Sequence, residues 1–320
     1  MFKRRLPVLA LLAAHCAAAA VPRADSRSEQ DRYRAWSAQA VQVLAAQEDA
    51  GSLATAAVLN AAGRTDPAPQ ELAARASELA PQNAAIGWLR LELCALAQGC
   101  DIRDDATVMR WIDPDNAAAW LPTLSAAQRD RDGIEVDRVL ADMARAHRFD
   151  LYWNRIVVLM FDALDAARND LPAGYAASDS ARYNAVIGIA GGEVIPPFGQ
   201  LADACRDPGG RNERRDPCLK LSKTMQRGDT VIVQLIGFSI ERHLIAPESK
   251  EARALAERRH VLEWRVAAAA KFDSPLLPWT KNSRTRARLA IMRALPREED
   301  VCIAILRAHR MKLEPPEVHP

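Results

Sequence analysis

Apolar positions recur at three- and four-residue spacing along most of the chain. Tyr33, Trp36, Ala40, Val43 and Leu44 make one such stripe, and Ile86, Leu89, Leu93 and Leu96 make another. That period belongs to amphipathic helices, not strands. It predicts helices over 25–49, 51–63, 70–80, 82–98, 101–112, 116–129 and 134–146, with a further one beginning near Phe149. The breaks fall at "TDPAP", at Pro81 and at Pro114, because proline cannot continue a helix from the preceding turn.

Helical patterning continues beyond Asp170. The stretch 231–245 carries a β-branched run, but its length and the positions of Leu235, Phe238, Ile240 and Leu244 predict a mostly buried helix. Two last helices are expected over 281–294 and 297–313, before a frayed proline-rich tail over 314–320. In "GIAGGEVIPPFG", Gly191 and Gly192 interrupt a helical pattern ahead of Pro196 and Pro197. Small residues of this kind predict close helix packing followed by a kink, with a pocket wall as the lesser alternative. The stretch lacks phosphate-cradling glycine spacing and no strand precedes it.

One local pattern occurs twice. "ELAPQNAAIGWL" and "WIDPDNAAAWL" share the order Pro, amide or acid, Asn, Ala, and then Trp. Pro81, Asn83 and Trp88 are thus echoed by Pro114, Asn116 and Trp120, and the prolines stand 33 positions apart. A further 34 positions reach Arg148, just before the next helix. A period near 34 with this boundary resembles the tetratricopeptide repeat. Where that family carries Trp, two residues and Leu, this chain has Trp88 with Leu91, and Trp120 with Thr123. The family's glycine falls on Glu92 and Leu124, and its tyrosine on Ala95 and Ala127. The likeness covers roughly 51–164. It implies an all-α chain in which 25–170 form a tetratricopeptide-like α-solenoid of antiparallel helix pairs, with a helical extension over 171–313 packed on the array. One helix pair cannot bury its apolar face alone, so neighbours stack, and Trp88 and Trp120 are expected as packing.

The first residues change the compartment. "MFKRRLPVLALLAAHCAAAA" has a basic head, an apolar run and a small-residue end, which reads as a secretory signal peptide over 1–20. Its apolar run is well short of the roughly 20 residues that span a bilayer. His15 and Ala13 fit a lipid-attachment motif at Cys16 poorly, so no lipid anchor is expected there. Cleavage removes Lys3, Arg4 and Arg5 and no acid, leaving 40 basic against 41 acidic groups. So even a balance argues against nucleic acid, whose binding depends on a net basic face. No other segment is apolar enough to span a membrane. Together with the cysteine pairs, these features resemble exported helical-repeat proteins of gammaproteobacteria, a likeness that carries no known activity.

Five cysteines then remain. Cys94 and Cys100 flank a helix end at Gly99, and Cys205 and Cys218 flank the polar loop "RDPGGRNERRDP", so two local disulfides are expected in an oxidising compartment. Metal binding is disfavoured, since neither pair has Cys-x-x-Cys spacing or a nearby histidine. Cys302, among Val301, Ile305 and Leu306, reads as a buried free thiol.

Candidate chemistry is thin. His243 and His260 could meet a glutamate if their helices pair, yet solvated histidines explain them as well. Lys281, Arg284, Arg286, Arg288 and Arg293 form a basic run, and Arg211, Arg214 and Arg215 a second; both read first as solvated faces. No nucleophile motif, cofactor fingerprint or metal spacing is present. The function expected is protein or peptide binding in the periplasm, on the concave face of the helical stack. The alternatives are an immunity or inhibitor protein with one tight partner, and an all-helical enzyme whose site assembles only in three dimensions.

Overall fold

The computed structural model describes residues 26–62, 65–97, 100–172, 174–175, 177–206, 212–273 and 282–316. The expected signal peptide, Cys16, Arg211, Lys281 and the last four residues of the tail lie outside them. The described residues form helices and no strand. In the first half these are α1 (Ser26–Ala45), α2 (Ala50–Leu59), α3 (Pro69–Leu79), α4 (Ala84–Leu96), α5 (Ile102–Ile112), α6 (Leu121–Arg129), α7 (Gly133–Met143) and α8 (Trp153–Ala166). The second half holds α9 (Asp179–Glu193), α10 (Gly199–Arg206), α11 (Arg215–Met225), α12 (Val231–Leu244), α13 (Lys250–Asp273), α14 (Asn282–Ala294) and α15 (Glu298–Ala308).

Polar side chains start many of these helices by accepting the first free backbone N–H groups. Asp49 accepts from Ser52 N at 2.9 Å, Asn83 from Ala85 N at 3.1 Å, Asp132 from Glu135 N at 3.0 Å and Thr230 from Val233 N at 3.2 Å. Several expected helices end early, the first at Ala45 and the last at Ala308 among them, and two show a local cause. The one predicted to Gly63 stops at Leu59, where the Asn60 side chain donates to the Thr65 and Pro67 carbonyls and offers the backbone an alternative to helix. The one predicted over 116–129 is split into a 3-10 turn, Ala117–Trp120, and α6. Pro122 lacks an N–H and fits only a first turn, so the α-helix starts afresh there.

Helices α1 to α5 pack each on the next. α2 is the most enclosed, with every side chain from Ser52 to Leu59 buried. α8 breaks the nearest-neighbour order. It lies against α2 and α4 as well as α9 and α14, inserting Ile156, Val157, Met160 and Leu164 into the core. The face shared by α2 and α4 is thereby taken by the chain's own helix. A solenoid repeat touches only its neighbours; here the chain curls back on its first helices, with α9 against α8 and α2, α10 against α6, α11 against α7 and α14 against α8.

The α11–α12 hairpin depends on close backbone approach. A Cβ at Gly237 would stand 2.7 Å from Ser222 O and 2.9 Å from Gln226 N, so only glycine fits. Cys94 is bonded to Cys100 and Cys205 to Cys218, while Cys302 is free and buried. No helix among the described residues is long and apolar enough to cross a membrane.

Candidate functional site: a joint and a cleft

The echoed boundary is one turn built twice. Ala80 (φ −137°, ψ 63°) and Asp113 (φ −138°, ψ 77°) close α3 and α5 in the same conformation, each donating its N–H to the carbonyl four residues back. Asn83 and Asn116 then each accept the N–H two residues on, at 3.1 Å. Pro81 and Pro114 sit between, in equivalent turns. The tryptophans diverge. Trp88 is fully buried and donates through Nε1 to the Val194 carbonyl at 3.3 Å. Trp120 is half-buried, with the Arg110 guanidinium 4.4 Å from its ring centroid.

Asn116 also grips the chain 34 residues on, where Asp150 N donates to its Oδ1 at 2.9 Å and its Nδ2 donates to Asp150 O at 2.9 Å and Tyr152 Oη at 3.0 Å. Tyr152, with φ of 58°, donates its hydroxyl to Asp113. From the second half, the Asp229 carboxylate accepts Leu151 N at 2.8 Å and Trp153 N at 3.2 Å, capping α8. Glu298 N donates to Asp229 O at 2.7 Å, and the Glu298 carboxylate accepts Val231 N at 2.8 Å, capping α12. Burial, aided by the nearby Asp150 charge, pushes the Asp229 carboxyl up to about 7, against the pull of its two backbone donors. Burial raises Glu298 likewise. Every partner in this network is internal, so it is a joint between the halves and not a place for a substrate.

Glu92, which stands where the resembled family has glycine, lies one turn beyond Trp88 on α4. Burial alone pushes its carboxyl up to about 8.

The space open to a partner lies elsewhere. A cleft of about 1120 Å³ runs between α1 and α9 over the end of α2. Its α1 wall offers Arg32, Tyr33, Ser37 and Gln39; its α9 wall offers Ala181, Asn184, Ala185, Gly188, Gly192 and Glu193. Tyr175 closes one end, edge-on to Tyr33 with centroids 5.4 Å apart, and 5.5 Å from the buried Trp36. Trp36 is fixed by its Nε1, which donates to the Pro172 carbonyl at 3.2 Å.

Here the close packing expected around "GIAGG" is overturned. A Cβ added at Gly188 or Gly192 would meet nothing within 4 Å, and one at Gly191 would meet only the Trp153 ring at 4.0 Å. Gly188 and Gly192 face the cleft and not a neighbouring helix. Pro196 and Pro197 follow the end of α9 and do not kink it.

The other candidates are spent or dispersed. His243 and His260 are exposed and line neither this cleft nor the charged crevice between α12 and α13. In that crevice Glu241 accepts from Gln226, and Glu299 pairs with Arg265 at 2.8 Å. The basic runs are not simply solvated: Arg286 pairs with Asp179, Arg293 with Asp162 and Arg214 with Asp137, tying α14 and the loop before α11 to the body. Cys94, Cys100 and Asp105 bring ligand-type atoms within 4.8 Å of one another, but the sulfurs are bonded together and Asp105 holds Arg90 at 2.7 Å. Among the described residues, one carboxylate, Glu193, and no histidine line the cleft. Sequence reasoning held the "GIAGG" stretch as a pocket wall only as the lesser alternative and missed the α1 wall, because the two walls come from residues about 150 positions apart. Comparison with protein-family models, with curated proteins and with solved structures finds no match.

Proposed function

We propose that this chain is an exported, tetratricopeptide-like helical-repeat protein that binds a protein or peptide partner, and that the cleft between α1 and α9 is its seat. The observation that carries the reading is the cleft itself: open, mostly apolar, and walled on α9 by small residues with empty space beyond them. Acid–base catalysis commonly pairs carboxylates or histidines; among the described residues the lining brings one carboxylate, Glu193, and no histidine. Equivalent turns at Pro81 and Pro114 support the repeat, while α8 against α2 and α4 argues for a partner outside the array's inner face. Two cysteine pairs at bonding distance support an oxidising compartment such as the periplasm.

The test is a periplasmic pull-down with the wild type and with Asn184→Arg, which crowds the cleft from an exposed position. One stoichiometric partner, lost in the variant, is the expected result. A partner retained equally by both would move the seat elsewhere, and no partner at all would count against binding as the function.

A further inference from the structure

We infer that the joint around Asp229 is a proton-operated latch between the halves. With a proton on the Asp229 carboxyl, the turn 228–231 and the start of α15 stay clasped to the start of α8; without it they part. The inference stands on the joint alone, whatever the α1–α9 cleft binds.

The halves meet here backbone to backbone. A Cβ at Gly228 would stand 2.7 Å from Phe149 O, so the turn lies against the chain just ahead of α8 with no room for a side chain between. Asp229 is 4% exposed and enters that contact with its carboxyl, taking Leu151 N on Oδ1 and Trp153 N on Oδ2. Its backbone carbonyl accepts Glu298 N, and the Glu298 carboxylate accepts Val231 N. One residue thus ties together three chain segments that are far apart in sequence.

The charges around it are unbalanced. Those that reach the Asp229 carboxyl are both negative, from Asp150 ahead of α8 and from Glu298 on α15. The nearby cations serve other groups. Arg148 holds Asp113 and Asp150, Arg155 acts on Asp150, Arg288 of α14 acts on Glu298 and Tyr183, and Arg297 pairs with Glu299 at 2.9 Å. Arg227, beside the turn, lines the crevice between α12 and α13. Tyr152 and Cys302 stay protonated, raised by burial. An ionised Asp229 therefore adds a charge without a cation of its own to a buried contact that already holds two acids, and its two backbone donors offset only part of that cost. The protonated carboxyl repels neither neighbour. The balance falls near neutrality, since the group stands at about 7 against an ordinary 3.8. A group raised in this way stabilises its contact fully below the ordinary value and loses that contribution as pH rises through the folded one. The latch is closed in acid and loosens in weak alkali.

The test is amide hydrogen exchange on the full chain by nuclear magnetic resonance, from about pH 5.5 to about pH 8.5, with rates corrected for the intrinsic effect of pH. Protection of the Leu151, Trp153, Val231 and Glu298 amides should fall together. Between about pH 6 and pH 8 the fall should be about tenfold larger in the wild type than in Asp229→Asn, the ratio for one proton lost near 7. Asp150→Asn, which removes a negative neighbour, should move the wild-type fall to lower pH. Carbon-13 titration of the Asp229 carboxyl in the wild type needs no variant and should give a midpoint near 7. A midpoint at the ordinary 3.8, or an equal fall in wild type and Asp229→Asn, would overturn the latch. So would a fall confined to Leu151 and Trp153, which is fraying of α8 alone, or protection of the four amides no lower than that of α2, which is unfolding of the whole chain.

Discussion

Replacing Gly188 and Gly192 by alanine should make the protein more stable. In a helix interior glycine costs about 0.8–1 kcal/mol relative to alanine, through backbone entropy lost on folding. Neither new methyl group would meet an atom of the described residues within 4 Å, so no packing penalty from them offsets the gain. The double variant should gain about 2 kcal/mol, a rise in melting temperature of roughly 3–6 °C for a chain of this size. Gly237→Ala supplies the contrast. Its methyl group would press on Ser222 O at 2.7 Å and Met225 Cβ at 2.8 Å, prising α11 from α12, at a cost of about 2–4 kcal/mol. Thermal and urea unfolding of the three proteins under one buffer decide the matter. A double variant no more stable than wild type would mean that the glycines already serve packing within the chain, and the account of an open α9 wall would be wrong.

Asn116→Ala should cost about 3 kcal/mol by urea unfolding, because it strands Asp150 N, Ala118 N and the Asp150 carbonyl; a loss below about 1 kcal/mol would contradict the joint. Glu92 is held near 8 when folded against 4.5 ordinarily, so the folded state binds its proton more tightly. The stability that Glu92 contributes should therefore be fully present below about pH 4.5, be lost as pH rises towards 8, and stay lost above it. Glu92→Gln should remove that part of the fall, leaving the part due to Asp229, and be the more stable protein at pH 8, by on the order of 4 kcal/mol. Cys205→Ser with Cys218→Ser opens a loop of 13-residue separation and should cost about 3 kcal/mol, read by urea unfolding under non-reducing conditions. The Cys302 thiol, buried and pushed up to about 12, should react with a disulfide reagent only after unfolding, and rapid reaction of the native protein would refute its placement.

Local features of the fold were legible in the sequence because their causes are local. Apolar spacing marked helices, and Pro81, Asn83, Pro114 and Asn116 marked turns whose geometry repeats. Even the β-branched run at Val231 reads correctly, since fourteen residues of buried helical pattern outweigh the strand preference of Val and Ile. The return of α8 to α2 and α4 has no such signature, because an apolar stripe does not name what covers it. Asp229 capping α8 from 78 positions away is invisible for the same reason. The glycines of α9 were conspicuous, but spacing alone cannot distinguish a small residue beside a neighbour from one beside open space. Arg286 and Arg293 look like a solvated face until α14 folds against Asp179 and Asp162.

The claim that the α1–α9 cleft is the partner seat is tested most directly by photo-crosslinking in the exporting cell, with p-benzoylphenylalanine placed at position 184 and, as control, at the exposed position 220 of α11. A single adduct of defined mass from position 184, absent from position 220 and lost when Gly188 and Gly192 are both leucine, is the predicted result. No adduct at 184, or the same adducts from both positions, would contradict it.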